Sequence, residues 1–183
     1  MFMHKFIAVA AACAVLMACT TPMTGNAPPQ QGARLGKPAT AAAVAAVDIS
    51  IPPSGAGLPA GSGSVSQGAA VYATKCLACH GEKGAGKPAD ALVGGIGSLA
   101  RGNAAVRTVG SYWPYATTLF DYTRRAMPPT APLSLSNDDV YAVTAYLLHL
   151  NGIVGPDAVM NAAILPGVKM PNRDGFIDMS ARQ

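Results

Sequence analysis

Cys76-Leu77-Ala78-Cys79-His80 is the stretch of this 183-residue chain best equipped for chemistry. Two thiols two residues apart can form thioether bonds to the two vinyl groups of one porphyrin. The histidine that follows them then lies beneath the iron as an axial ligand. A redox dithiol of the same spacing needs a thioredoxin-like βαβ context, and a tetrahedral zinc site needs a second pair of ligands. The surrounding sequence supplies neither. One covalently attached haem c, held by Cys76 and Cys79 with His80 on the iron, is therefore expected.

A haem iron that only relays electrons is usually six-coordinate, and a thioether opposite histidine raises its potential. Four methionines follow the motif: Met127, Met160, Met170 and Met179. Met127 is the expected second axial ligand. It stands in Arg125-Ala126-Met127-Pro128, where the proline ends the preceding helix and sets an extended segment that can cross the distal face. Met170-Pro171 is the rival pair, and Met160 reads as a core-filling thioether. His149, near the end of a helix, reads as a surface histidine. Trp113 and Tyr115 flank the distal approach. They either pack against the porphyrin or serve the protein core alone. Arg101, Arg107, Arg124 and Arg125 either neutralise propionates and face an acidic partner, or are ordinary solvated charges.

The elements that must position these residues read as helices. Residues 66–76, capped by Ser64 or Ser66, lead directly into the haem motif with Val71 and Tyr72 as their apolar pair. Residues 81–110 are glycine-rich and read as a wrapping loop holding one helical turn. Residues 117–126 carry Leu119, Phe120 and Tyr122 at helical spacing. Ser136-Asn137-Asp138-Asp139 combines an N-cap with an acid three positions later. The helix it opens carries Val140, Val143, Ala145, Tyr146, Leu147 and Leu150, and stops at Asn151-Gly152. The tail, 153–183, reads as an extended arm with a weakly helical stretch at 157–164.

Ahead of the domain, His4 and Lys5 precede an uncharged apolar run over residues 6–17. That run is too short for a bilayer of about 20 residues and suits a secretory leader, which carries the chain out of the cytoplasm. Leu16-Met17-Ala18-Cys19 is similar to a bacterial lipoprotein box, with Met17 where a smaller residue is usual. The expectation is a leader over 1–18 and a lipid anchor on Cys19, the alternative being ordinary cleavage nearby. Cys13 is lost with the leader, so no pair is left for a disulfide. Residues 19–60 form a Pro/Ala/Gly-rich linker with an r.m.s. reach on the order of 35 Å if fully flexible. Only 12% of residues are charged and the net charge is +4, too diffuse for nucleic-acid binding. The folded part is one small domain over 61–152.

Val71-Tyr72, Cys76 to His80, Met127-Pro128 and Tyr146-Leu147 together resemble class I cytochrome c, an all-α fold wrapped around one haem. In that family a proline carbonyl in the loop after the motif accepts a hydrogen bond from the proximal histidine. The nearest match is Pro88, in the stretched spacing Pro88-Ala89-Asp90-Ala91-Leu92. A narrower resemblance rests on Ile51-Pro52-Pro53-Ser54-Gly55-Ala56-Gly57-Leu58-Pro59, on Gly110-Ser111-Tyr112-Trp113-Pro114-Tyr115-Ala116-Thr117-Thr118-Leu119, on Arg124-Arg125-Ala126-Met127-Pro128, and on Met170-Pro171-Asn172-Arg173-Asp174-Gly175-Phe176. These are similar to the cytochrome module of Sox-type sulfur dehydrogenases and related sulfite dehydrogenases. The larger Sox-type subunit has a second haem domain, whereas this chain has a single CxxCH.

The resemblance implies an electron-transfer protein and not itself a catalyst. It implies electrons taken from a molybdenum-cofactor dehydrogenase subunit and passed to a downstream cytochrome or oxidase, in the periplasm. A generic membrane-tethered donor to a terminal oxidase shares every haem feature. A haem peroxidase or a haem sensor would need an open or labile distal site.

Overall fold

A computed structural model describes residues 36–177 and residue 179 of the chain. The leader over 1–18, the Cys19 anchor and the first part of the linker lie outside the described residues, as does the end of the tail. From Ala41 onward the chain forms one unit. Among the described residues no helix is long and apolar enough to cross a membrane.

The unit starts with an exposed alanine-valine helix, α1 (Ala41–Val47). Two capping boxes then start the helices that matter most. Ahead of α2 (Val65–Lys75), the Ser64 hydroxyl accepts the Gln67 amide at 3.2 Å and the Gln67 side chain accepts the Ser64 amide at 2.8 Å. Of the two serines expected as caps, Ser64 serves. Ahead of α5 (Asn137–Leu150), the Asp139 amide donates to Ser136 Oγ at 3.1 Å and the Ser136 amide to Asp139 Oδ2 at 3.3 Å. Each such cap contributes about 1 kcal/mol. Between them lie the single turn α3 (Leu77–His80) and α4 (Ala116–Ala126). Two 3-10 turns, Glu82–Gly84 and Ser98–Ala104, punctuate the glycine-rich loop.

Helices α2 and α5 cross at glycine. A Cβ on Gly68 would fall 1.9 Å from the Ala142 carbonyl oxygen, so only glycine lets the two backbones approach this closely. Beyond the crossing, the Tyr72 and Tyr146 rings meet at 5.4 Å. Helix α4 lies against α5 through Phe120 and Tyr141, whose rings are 4.5 Å apart. Its buried residues are Ala116, Thr117, Leu119, Phe120, Asp121 and Thr123, a broad helical stripe. Tyr122, expected on that stripe, stands off it and is exposed.

Residues 51–60, placed in the flexible linker by composition, belong instead to the folded body. Ile51 is buried in the core and its amide donates to Asp121 Oδ1 at 3.0 Å. The carbonyls of Pro53, Pro59 and Ala60 accept from Thr117 Oγ1, the Tyr141 hydroxyl and Asn137 Nδ2. Prolines cannot donate, so this strap is held through carbonyls by helix side chains 64 to 82 residues away.

The tail is likewise part of the body. Strand β2 (Val159–Asn161) pairs antiparallel with β1 (Ser62–Ser64), Met160 opposite Gly63. A turn follows in which the Ala163 and Ile164 amides donate to Asn161 Oδ1 at 2.9 and 3.0 Å. This strand and turn stand where a weak helix over 157–164 was expected. Met160, Leu165 and Met170 are all buried, so residue 152 is no structural boundary. Apart from that three-residue ladder the described residues have the all-α architecture expected.

Candidate haem site

Cys76 sits at the junction of α2 and α3. Its amide closes α2 on the Tyr72 carbonyl at 2.9 Å, and its own carbonyl accepts the amides of Cys79 at 3.1 Å and His80 at 2.9 Å. One turn of chain thereby brings the two sulfurs and the imidazole to one end of α2. Both cysteines are free thiols, Cys76 half-buried and Cys79 exposed. Burial, helped by the neighbouring Cys79, pushes the Cys76 thiol up to about 11. That is the reverse of the lowered value that activates a redox dithiol. Among the described residues no group of three or more His, Cys, Asp or Glu side chains could hold a metal ion.

His80 Nδ1 lies 2.9 Å from the Asp90 carbonyl oxygen. As a neutral imidazole it donates that proton and leaves the Nε2 lone pair free for a metal. The acceptor is therefore Asp90 and not Pro88. The loop explains the difference: the Gly86 amide returns to the His80 carbonyl at 2.7 Å and the Ala89 amide to the Cys79 carbonyl at 2.9 Å. These bonds fold residues 86–89 back over α3, so the next carbonyl along, that of Asp90, reaches the ring. Gly81 permits the fold with φ of +70°, where a Cβ would lie 2.5 Å from the Gly86 oxygen. Its carbonyl accepts the Tyr72 hydroxyl at 2.8 Å, which ties the loop to α2.

Asn151, which the sequence did not mark as part of the site, braces the far side of that loop. Its side chain donates to the Leu92 carbonyl at 3.1 Å and the Leu147 carbonyl at 2.9 Å, and accepts from the Gly94 amide at 3.1 Å.

Met127 caps the C-terminus of α4. Its amide makes the last helical bond, to the Thr123 carbonyl at 3.1 Å, and its backbone is already extended. The Met127-Pro128 bond is cis. The side chain is half-buried, in contrast to Met160 and Met170, each 3% exposed and packed in the core cluster. Met179 is exposed.

Trp113 meets Tyr122 edge-on at 5.6 Å, and Tyr115 lies beneath the Arg173 guanidinium at 4.3 Å. The expected arginine group is dispersed. Arg125 is committed to Asp121, and Arg101 is exposed. Arg107 stacks over Tyr112 and lines, with Asp90 and Val106, a cleft of about 530 Å³ beside the residue that holds His80. His149 is half-buried, its Nδ1 3.2 Å from the Val154 carbonyl, so it pins the turn after α5 instead of standing free on the surface.

Two free thiols three positions apart, an imidazole with one nitrogen already engaged, and a thioether at an extended helix end together fit a covalently held haem. They fit no other group considered above.

The family model described as cytochrome c oxidase, cbb3-type, subunit III matches residues 63–147, from β1 into the last turn of α5. The crystal structure of the sulfane dehydrogenase SoxCD from Paracoccus pantotrophus contains a chain 41% identical to this one, with a TM-score of 0.74. The match covers 82% of this chain and 74% of that one. No curated protein sequence matches.

Proposed function

The chain belongs to the class I c-type cytochromes and to the same family as a chain of sulfane dehydrogenase SoxCD, and from that premise we propose a mono-haem electron carrier for a molybdenum-cofactor sulfur or sulfite dehydrogenase. The haem supplies reversible one-electron chemistry at iron when bound. Cys76 and Cys79 would hold it by thioether bonds, with His80 and Met127 on the two faces of the iron. The chain's own work is to keep the His80 ring oriented through Asp90, to close the distal face with the segment after α4, and to limit water. With His80 and Met127 both available to hold the iron, the site would relay electrons and leave no position for a substrate.

The observation that carries this reading is the His80–Asp90 hydrogen bond inside a CxxCH turn. It presets the tautomer that ligates iron and has no use in a thiol-disulfide site. The partner rests on the SoxCD match and on the resemblance in residues 49–176. The leader and Cys19 support a periplasmic carrier tethered to the membrane by lipid. A second reading, donor to a terminal oxidase, is favoured by the oxidase-subunit description of the matching family model.

Absorption spectra of the purified ferric protein test the site. The thioether–iron band near the red edge is expected in the wild type and absent in Met127→Ala. High-spin, five-coordinate iron in the wild type would overturn the carrier reading. Sulfite-driven reduction of the haem, with and without a candidate molybdenum subunit, then decides between the two partners.

A further inference from the structure

Helix α4 contains Asp121, whose side chain is only 11% exposed and lies on the helix's inward side. A buried carboxylate persists only when its oxygens are satisfied. Its partners come from two directions. Oδ1 accepts the Ile51 amide at 3.0 Å, from the strap 70 residues earlier. Both oxygens accept Arg125 Nε at 3.1 Å, and Oδ2 also accepts Nη2. Arg125 stands in the last turn of α4, two residues before Met127, and the Met127 amide makes that turn's closing bond.

The geometry points to Asp121 as a positioning residue for the distal ligand: it latches the last turn of α4 to the strap and so holds Met127 on the iron. This rests on the reading of Met127 as a ligand. The strap is a firm support, being itself fixed at Pro53 by Thr117 and at Pro59 by Tyr141. An exposed i,i+4 ion pair would contribute little, but here the acid end is buried and shared with a backbone amide. Release of the latch frees the turn from which Met127 leaves the helix. The thioether then spends more time off the iron.

An external ligand such as cyanide binds ferric haem only when the thioether is off. Its apparent affinity therefore rises in proportion to the fraction off. The experiment titrates cyanide into ferric holoprotein for the wild type, D121N, R125Q, M127A and S136A, the last weakening the cap of α5 without touching Asp121, Arg125 or the Ile51 bond. D121N is expected to bind cyanide on the order of tenfold more tightly than wild type, with R125Q between them and M127A tightest. S136A, a purely structural lesion, is expected to stay within about twofold of wild type. Hydrogen exchange at the Ile51 amide should accelerate in D121N and not in S136A, whose lesion lies at the start of α5, at the other end of the strap. If D121N fails to accumulate as holoprotein, R125Q decides, since it leaves the Ile51 bond intact. Tighter binding in M127A with wild-type affinity in D121N and R125Q would overturn the latch alone. Wild-type affinity in M127A would overturn the ligand reading and the latch with it.

Discussion

Gly68→Ala tests the helix crossing that the haem motif depends on, because two physical effects pull it in opposite directions. Alanine is the better helix former by about 1 kcal/mol, so an α2 that stood free would gain stability. At the crossing the new Cβ would lie 1.9 Å from the Ala142 carbonyl oxygen, 2.5 Å from its carbon and 2.7 Å from Tyr146 Cβ. Carbon contacts below 3.0 Å essentially do not occur, so the helices must separate by about 1.1 Å, the difference between 3.0 and 1.9. The obstructing atoms are mostly backbone, and no rotamer change relieves them. Overpacking of this kind costs about 3 kcal/mol, the upper end of the usual range. Offset by the helix-propensity gain, a net loss of about 2 kcal/mol remains, or roughly 4–8 °C in Tm for a unit of this size.

Thermal melts followed by circular dichroism on the holoprotein read this directly. Gly155→Ala is the control, since nothing lies within 4 Å of its Cβ and its φ is not left-handed. It is expected to leave the protein as stable as wild type or more so, by up to about 1 kcal/mol. Ala142→Gly should fail to rescue Gly68→Ala, because the clash is with the Ala142 backbone and not with its methyl group. A Tm for Gly68→Ala equal to or above wild type would refute the crossing geometry.

Other perturbations probe the elements around the site. Asn151→Ala removes the partner of the Gly94 amide and the Leu92 carbonyl, so urea denaturation should show a loss of about 3 kcal/mol. Ser136→Ala deletes the α5 cap and should lower stability by about 1 kcal/mol, read as a Tm shift of about 3 °C. Burial raises Tyr141 above the ordinary tyrosine value of 10.0, with Arg124 opposing the shift, and burial raises Tyr72 in the same direction. The folded state thus holds those protons more tightly, so the contribution is complete below pH 10.0 and is lost as pH climbs through the raised values. Melts across that range should show alkaline destabilisation, and Tyr141→Phe should lessen it while losing about 1 kcal/mol at neutral pH with the bond to Pro59.

What could be read from the sequence follows the range over which each determinant acts. The haem motif and the caps at Ser64 and Ser136 are complete within five residues, and each is present where local chemistry requires it. The same holds for the end of α4 at Met127-Pro128. The strap over 51–60 has no such local logic. Its composition is that of a linker, and its order comes from Asp121, Thr117, Asn137 and Tyr141 on distant helices. Strand β2 is three residues long, too short for alternation to register, and its pairing partner β1 lies far earlier in the chain. Thr123, not Tyr122, takes the inward position, because the packing of α4 against α5 and not the local spacing sets which face is buried. The Asp90 acceptor is a backbone carbonyl and carries no side-chain signature at all.

The residues that would meet the haem share a structural character that accounts for how the fold serves them. Cys76 is a helix cap, His80 ends a single turn and Met127 is the last capping position of α4. None lies within the interior of a long helix. Side chains at such ends have freedom that packing alone does not remove, so each is held by a bond from elsewhere. The Tyr72 hydroxyl and the residue 86–90 loop hold the proximal turn, and Asn151 braces the chain that follows. Asp121 and the strap hold the turn before Met127. Damage to these tethers should therefore register first in ligation and only secondarily in unfolding, whereas damage at the Gly68 crossing should register first in stability.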